Sequence, residues 1–171
     1  ARLLYQDDTI QHAGVVIGLG GIAGHTFIGL HEAENSYFHR AMCAQDYSAV
    51  TAACMMTKKE VFCQAGGFTE ELAVAFNDID YCMKVRALGK LVVYAPYAVM
   101  HHYESKSRGL EDTPEKVARF NREVAIFARR WPDILKNGDP YYNPNLTLRK
   151  SNFALRDLLK EKIGEPYKLE V

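Results

Sequence analysis

The chain has 171 residues, 48% of them hydrophobic and 25% charged, which is the composition of an ordinary globular domain large enough for one sizeable core. Its 21 basic and 21 acidic residues cancel, so there is no net field to attract nucleic acid and no long basic run to bind a polyanion. No stretch approaches the ~20 apolar residues that span a bilayer, and Cys43, Cys54, Cys63 and Cys82 form no C-x-x-C pair, which predicts reduced, buried thiols rather than a zinc cluster or a disulfide framework.

The opening ARLLYQDDTIQHAG shows neither an initiator Met nor a secretory signal, and reads as the middle of a domain. Leu3 to Tyr5 predict a short strand and Ile10 to Ile17 a second one. The glycine-rich run from Gly18 to Gly24 follows. It lacks the Lys-Ser/Thr of a phosphate loop and is expected to be a flexible surface loop, with no role for His25, His31 or His39. Tyr47 to Thr57 is the most apolar run and predicts a central buried strand, and Lys58 to Ala65 predicts a short helix with Val61 and Phe62 facing the core.

Gly66 and Gly67 then allow a sharp turn, Phe68 can pack beneath it, and a mobile acidic loop leads to Asn77, Asp78 and Asp80 at the mouth of a helix. Asn77 or Asp78 can cap that helix, and its positive end favours an ionised acid. This suits a general base and a plain structural cap alike.

Downstream, Leu91 to Tyr94 and Tyr97 to His102 predict strands, the second delivering His101 and His102 to opposite faces. Thr113 is an expected N-cap with Pro114 at the first helical position. Val117, Phe120, Val124, Phe127 and Trp131 form a core-facing stripe, Pro132 ends or kinks the helix, and Ser151 to Lys162 predicts a last short one. The alternation predicts an α/β fold in a single domain over residues 1–171, with a core over 1–131 and a C-terminal extension over 132–171.

The segments GHTF, SAVTAACMMTKKEVF, GGF with its acidic loop, NDID, HHYESKSRG and DPYYNPNLTL, in that order, resemble the C-terminal half of the inverting family-two glycosyltransferases. The resemblance implies a partial GT-A fold, a mixed sheet flanked by helices, without the N-terminal nucleotide-binding half and its Asp-x-Asp motif. It implies Asp78 as catalytic base, although Asn77 stands where the family more usually has an acid. It further implies acceptor contacts from Gly66, Gly67, Phe68, Asn77 and Thr51, and a Mg²⁺ or Mn²⁺ ion bound through His102 or His101, with His102 favoured. Lys106 and Arg108, in the polar loop after these histidines, are expected either to swing onto the diphosphate of the donor or to form a solvated basic loop.

The expected partners are therefore a nucleotide-sugar donor and a glycan or polysaccharide acceptor, in the cytoplasm or at the inner face of a bacterial membrane. This stretch alone is expected to be inactive, and an open strand edge leaves a homodimer open. A non-catalytic carbohydrate-binding or scaffolding module of the same fold is the alternative. A metal-dependent hydrolase built from His101, His102, Asp78 and Asp80 is the weaker third reading, because the ligand spacing is poor.

Overall fold

The computed structural model describes residues 1–103 and 113–161. β1 (Arg2–Leu4) is the centre of a three-stranded sheet, antiparallel to β2 (Ile10–His12) and parallel to β7 (Val99–His101). Every residue of β1 and β2 is buried, as expected of strands covered on both faces.

The predicted strand from Ile10 to Ile17 is broken at Gly14. Its φ is +107°, and a Cβ built there would stand 2.4 Å from the Tyr47 ring, so only glycine lets the two segments meet. Beyond it, β3 (Val15–Ile17) and β4 (Ala23–His25) form an antiparallel hairpin. The glycine-rich run is the tip of that hairpin. It is not the surface loop expected from its composition, because Leu19 and Ile22 fold inward and the Gly20 amide donates to the Leu148 carbonyl.

The apolar run from Tyr47 to Thr57 is not a strand. Regular pairing is confined to β5 (Gln45–Asp46), which lies antiparallel to β6 (Val93–Tyr94). Tyr47 to Val50 continue inward with one isolated bridge, Val15 to Ala49, and a 3₁₀ turn over Ala52–Cys54 brings the chain to the surface. An apolar run reports burial, not ladder formation, and here the two separate.

α1 (Lys59–Gln64) ends at Gly66 and Gly67, both with positive φ, and α2 (Asn77–Ala87) follows. α3 (Pro114–Arg130) starts as predicted: the Thr113 hydroxyl accepts the Lys116 amide at 3.4 Å, ahead of Pro114. Its stripe runs through Phe120, Val124 and the fully buried Phe127 to Trp131, while Val117 is exposed. Pro132 opens a further short helix, α4 (Pro132–Asn137). The helix expected over Ser151 to Lys162 is absent among its described residues, where Phe153 adopts a left-handed φ and Leu155 bridges to Leu146.

One core takes in Leu4, Val15, Tyr47 and Tyr94 together with Phe127, Tyr142, Leu146 and Phe153. Asp139 pins the segment after α4 to β3 by accepting the Ile17 amide at 2.8 Å and the Ser48 hydroxyl at 2.7 Å. Of the cysteines only Cys82 is buried, which pushes its thiol up to about 12. Cys43 and Cys63 are exposed, contrary to the expectation of uniformly buried thiols, and all four are free. The architecture is mixed α/β, a small mixed sheet with helices against it, and is compatible with part of a glycosyltransferase fold.

Candidate functional site

α2 begins after Phe76, which takes a left-handed φ of 62°. Neither Asn77 nor Asp78 occupies the N-cap, and no side chain caps the helix from that position. Both residues already lie within the first turn. There Asp78 Oδ1 accepts the Ile79 amide at 2.9 Å, and Oδ2 accepts the Ala52 amide at 3.0 Å, from the turn that follows the buried segment. The carboxylate is thereby oriented by two fixed donors. A carboxylate has about four lone-pair sites, so two remain for a ligand.

Asp80 is two residues on, and at about 100° per residue it faces the opposite side of the helix. It is fully buried, and receives the Thr69 hydroxyl at 2.6 Å, the Arg130 Nε at 2.7 Å and the Trp131 Nε1 at 2.8 Å. Burial pushes its pKa up, but these bonds more than offset burial and hold the carboxyl below the usual range. Asp80 ties α2 to α3. Asp78 is the acid of the pair that reaches an open cavity.

That cavity has a volume of about 630 Å³, and its wall includes Asp78, Asn77, Thr51, Gln11, His25 and His102 among apolar residues such as Val74, Phe76 and Phe120. Thr51, the adjacent Asn77 and Asp78, and His102 thus come together from three separate stretches of the chain. The wall over Val74 and Ala75 is held from α3, where the buried Glu123 accepts their amides at 3.2 and 2.7 Å. The loop expected to be mobile is therefore anchored at this end.

His102 has a defined orientation. Gln11 donates through Nε2 to the His102 carbonyl at 3.2 Å, so its Oε1 is the atom that accepts from His102 Nδ1 at 2.7 Å. The proton of a neutral His102 is fixed on Nδ1 and the lone pair on Nε2, the arrangement found in metal-bound histidines. His101 projects from the other face of the strand end, as alternation predicts, and meets Asp8 at 2.7 Å. It does not line the cavity that His102 lines.

Gly66, Gly67 and Phe68 do not line the cavity. The glycines end α1, and Phe68 packs on Phe62 and Tyr81 at centroid distances of 5.6 and 5.3 Å. Lys106 and Arg108 lie outside the described residues. Among the described residues no group of three or more His, Cys, Asp or Glu is arranged to hold a metal, so His102 supplies one arm of such a site at most.

Gln11, His25 and Glu123 are site residues that the sequence did not reveal. Gln11 sits in a segment without a motif, His25 lies in the GHTF segment but carries no expected role, and Glu123 looks like any charged residue of a surface helix. Only the pairing of β1 with β2 and β7 brings Gln11 beside His102.

Two relatives match along most of the chain. One is the "Uncharacterized protein y4gI" of Sinorhizobium fredii, 55% identical over 157 residues, which is 91% of this chain and 17% of that protein. The other is the "O-antigen biosynthesis protein RfbC" of Myxococcus xanthus, 38% identical over 156 residues, 91% of this chain and 12% of that protein. The chain thus spans less than a fifth of the length of either. An N-acetylglucosaminyl-diphospho-decaprenol L-rhamnosyltransferase of Mycobacterium tuberculosis is 28% identical over 78 residues, 46% of this chain and 25% of the enzyme. No protein-family model matches the chain, and no solved structure does.

Proposed function

We propose that this chain is the acceptor-side part of an inverting glycosyltransferase of GT-A type that builds a surface polysaccharide, with Asp78 as its base. The observation that carries the reading is the Asp78 carboxylate, oriented by two backbone amides at the wall of a cavity it shares with Thr51, Asn77 and His102. The similarity to proteins named for O-antigen biosynthesis and rhamnosyl transfer supports the same chemistry.

In the proposed reaction an acceptor hydroxyl lies against the free lone-pair sites of Asp78. As the hydroxyl oxygen attacks the anomeric carbon of a nucleotide-sugar donor, its proton passes to the carboxylate. The bond to the nucleotide diphosphate breaks on the opposite face, so the anomeric centre inverts. The first-turn position of Asp78 sets its carboxylate at the positive end of α2. Phe76 and Phe120 give the cavity an apolar stretch of wall beside Asp78.

His102 Nε2 is the atom of this chain suited to hold a divalent cation, with Gln11 fixing its tautomer, and further ligands would come from outside the described residues. A bound Mg²⁺ or Mn²⁺ would neutralise charge on the departing diphosphate. Lys106 and Arg108 are assigned to the same diphosphate. No helix among the described residues is long and apolar enough to cross a membrane, and the reading places the protein in the cytoplasm or at the inner membrane face, where nucleotide sugars are available.

The test is turnover by the full-length protein against a panel of nucleotide sugars with Mn²⁺ or Mg²⁺, set beside Asp78→Asn. Loss of turnover with donor binding retained supports the reading. An unchanged rate overturns it in favour of a carbohydrate-binding module.

A further inference from the structure

Next to the Asp78 cavity lies a second one of about 450 Å³, and the half-exposed Ile28 forms part of the wall of both. The second cavity is also lined by Phe27, Glu34, Asn35, Tyr37 and Asn152. None of these five has a role in the reaction described above.

The walls of this cavity are fixed by the fold. The Phe27 amide donates to the Ser151 carbonyl at 2.6 Å, and the Gly29 amide donates to the Ile10 carbonyl at 2.9 Å, so the Phe27–Gly29 backbone is tied down at both ends. The buried Ser36 hydroxyl accepts the Ala41 amide at 3.0 Å, which sets the turn that carries Tyr37. Tyr37 stacks on Phe153 with centroids 5.6 Å apart and an interplanar angle of 18°, and Phe153 stacks in turn on Phe27 at 4.7 Å and 9°. A rigid aromatic pile therefore ends at Tyr37, where the ring is partly open to solvent.

The polar groups have capacity to spare. Asn152 Oδ1 accepts the Ala154 amide at 3.2 Å, which leaves the Asn152 amide nitrogen to donate, and Glu34 accepts the His31 amide through Oε1 at 3.4 Å, which leaves Oε2 to accept. The Asn35 side chain bonds to no described residue. Two amides, a carboxylate and an aromatic ring are complementary to a pyranose, whose hydroxyls both donate and accept and whose C–H face is apolar. An anion would meet the charge of Glu34, and an alkyl chain would strip water from three polar groups without replacing its bonds.

The direction from the first cavity is also set. On the side of His25 the wall is backed by His12, which is buried with its Nδ1 3.2 Å from Nδ1 of His25. Burial, then the neighbouring His25 and the amino terminus, hold His12 well below its ordinary range, so an uncharged ring fills that space. On the side of Ile28 the wall is exposed, and the second cavity follows.

We propose that the second cavity is a carbohydrate subsite that holds a further sugar unit of the acceptor glycan while the reacting unit lies at Asp78. Tyr37 supports the C–H face of that further unit, and Asn35, Asn152 and Glu34 bond its hydroxyls. The inference rests on the glycosyltransferase reading for the identity of the ligand and deepens it: the preferred acceptor is at least two sugars long.

The test is ligand-observed NMR of the full-length protein with methyl α-D-glucopyranoside, methyl α-D-mannopyranoside and methyl α-L-rhamnopyranoside, and with the methyl glycoside of the α-1,3-linked disaccharide of each, with thermal melting run alongside. Wild type is expected to bind at least one monosaccharide, and its disaccharide about 10-fold more tightly. Asn35→Ala should weaken disaccharide binding about 5-fold, the loss of one hydrogen bond, and should melt as wild type does. Tyr37→Ala should weaken it about 10-fold through lost apolar contact, whereas Tyr37→Phe, which keeps the ring on Phe153, should retain the preference for two sugars. Monosaccharide affinity should be unchanged in all three variants.

If the second sugar adds no affinity, or if its gain survives intact in Asn35→Ala or in Tyr37→Ala, the inference is overturned and the glycosyltransferase reading stands. Failure to bind any of the six probes contradicts the inference and the acceptor-side reading together. The reading fails separately if Asp78→Asn leaves turnover intact.

Discussion

Asp78 and Asp80 share the first turn of α2, yet they serve different structures: Asp80 is enclosed by Thr69, Arg130 and Trp131, whereas Asp78 is held by the Ala52 and Ile79 amides at a cavity wall. The helical period separates them by more than half a turn. Substituting the two acids therefore separates fold from chemistry. Asp80→Ala strands three donors and should lower unfolding free energy by about 3 kcal/mol, measured by urea titration, whereas Asp78→Asn should move it by less than about 1 kcal/mol.

The pH dependence of stability should show two separate steps. The folded pKa of His12 is depressed, so between its ordinary value near 6.5 and its folded value the unfolded chain binds the extra proton. Stability is complete above about 6.5 and falls as pH drops below it, with a slope approaching ~1.4 kcal/mol per pH unit. Asp80 is also depressed, so its contribution is present above about 3.9 and is lost as pH falls through the folded value. Denaturation followed from pH 8 to 3 should show both steps, and His12→Phe should remove the upper one.

Glu123 accepts the Val74 and Ala75 amides from across the cavity wall. Glu123→Gln leaves one oxygen to serve both, so hydrogen exchange at these amides should accelerate about 10-fold while the interior of α2 stays protected. Equal protection in both proteins would show that the loop is held by other contacts.

Gln11 fixes the His102 tautomer. If His102 is a metal ligand, Gln11→Leu should raise the concentration of Mn²⁺ needed for half-maximal turnover about 10- to 100-fold in the full-length protein. No change would remove the cation from His102.

Local signals were legible in the sequence, and pairings across the chain were not. The start of α3 was readable because Thr113 and Pro114 act on the next turn alone. The apolar run from Tyr47 was misread as a strand, because burial under neighbouring segments needs no ladder partner. The Gly18–Gly24 run looked like a loop because its glycines hide a hairpin whose apolar members, Leu19 and Ile22, supply the burial. At the site, Asp78, Asn77, Thr51 and His102 could be named from motifs, but the contacts of Gln11 with His102 and of His12 with His25 join residues that no local pattern connects.

The most direct test of the account is the rate of sugar transfer by full-length Asp78→Asn under conditions where donor binding is measured in parallel. The account predicts a fall of at least about 100-fold in turnover with donor affinity within a few-fold of wild type. Wild-type turnover in this variant would contradict it, leaving Asp78 as no more than an anchor between α2 and the Ala52 turn.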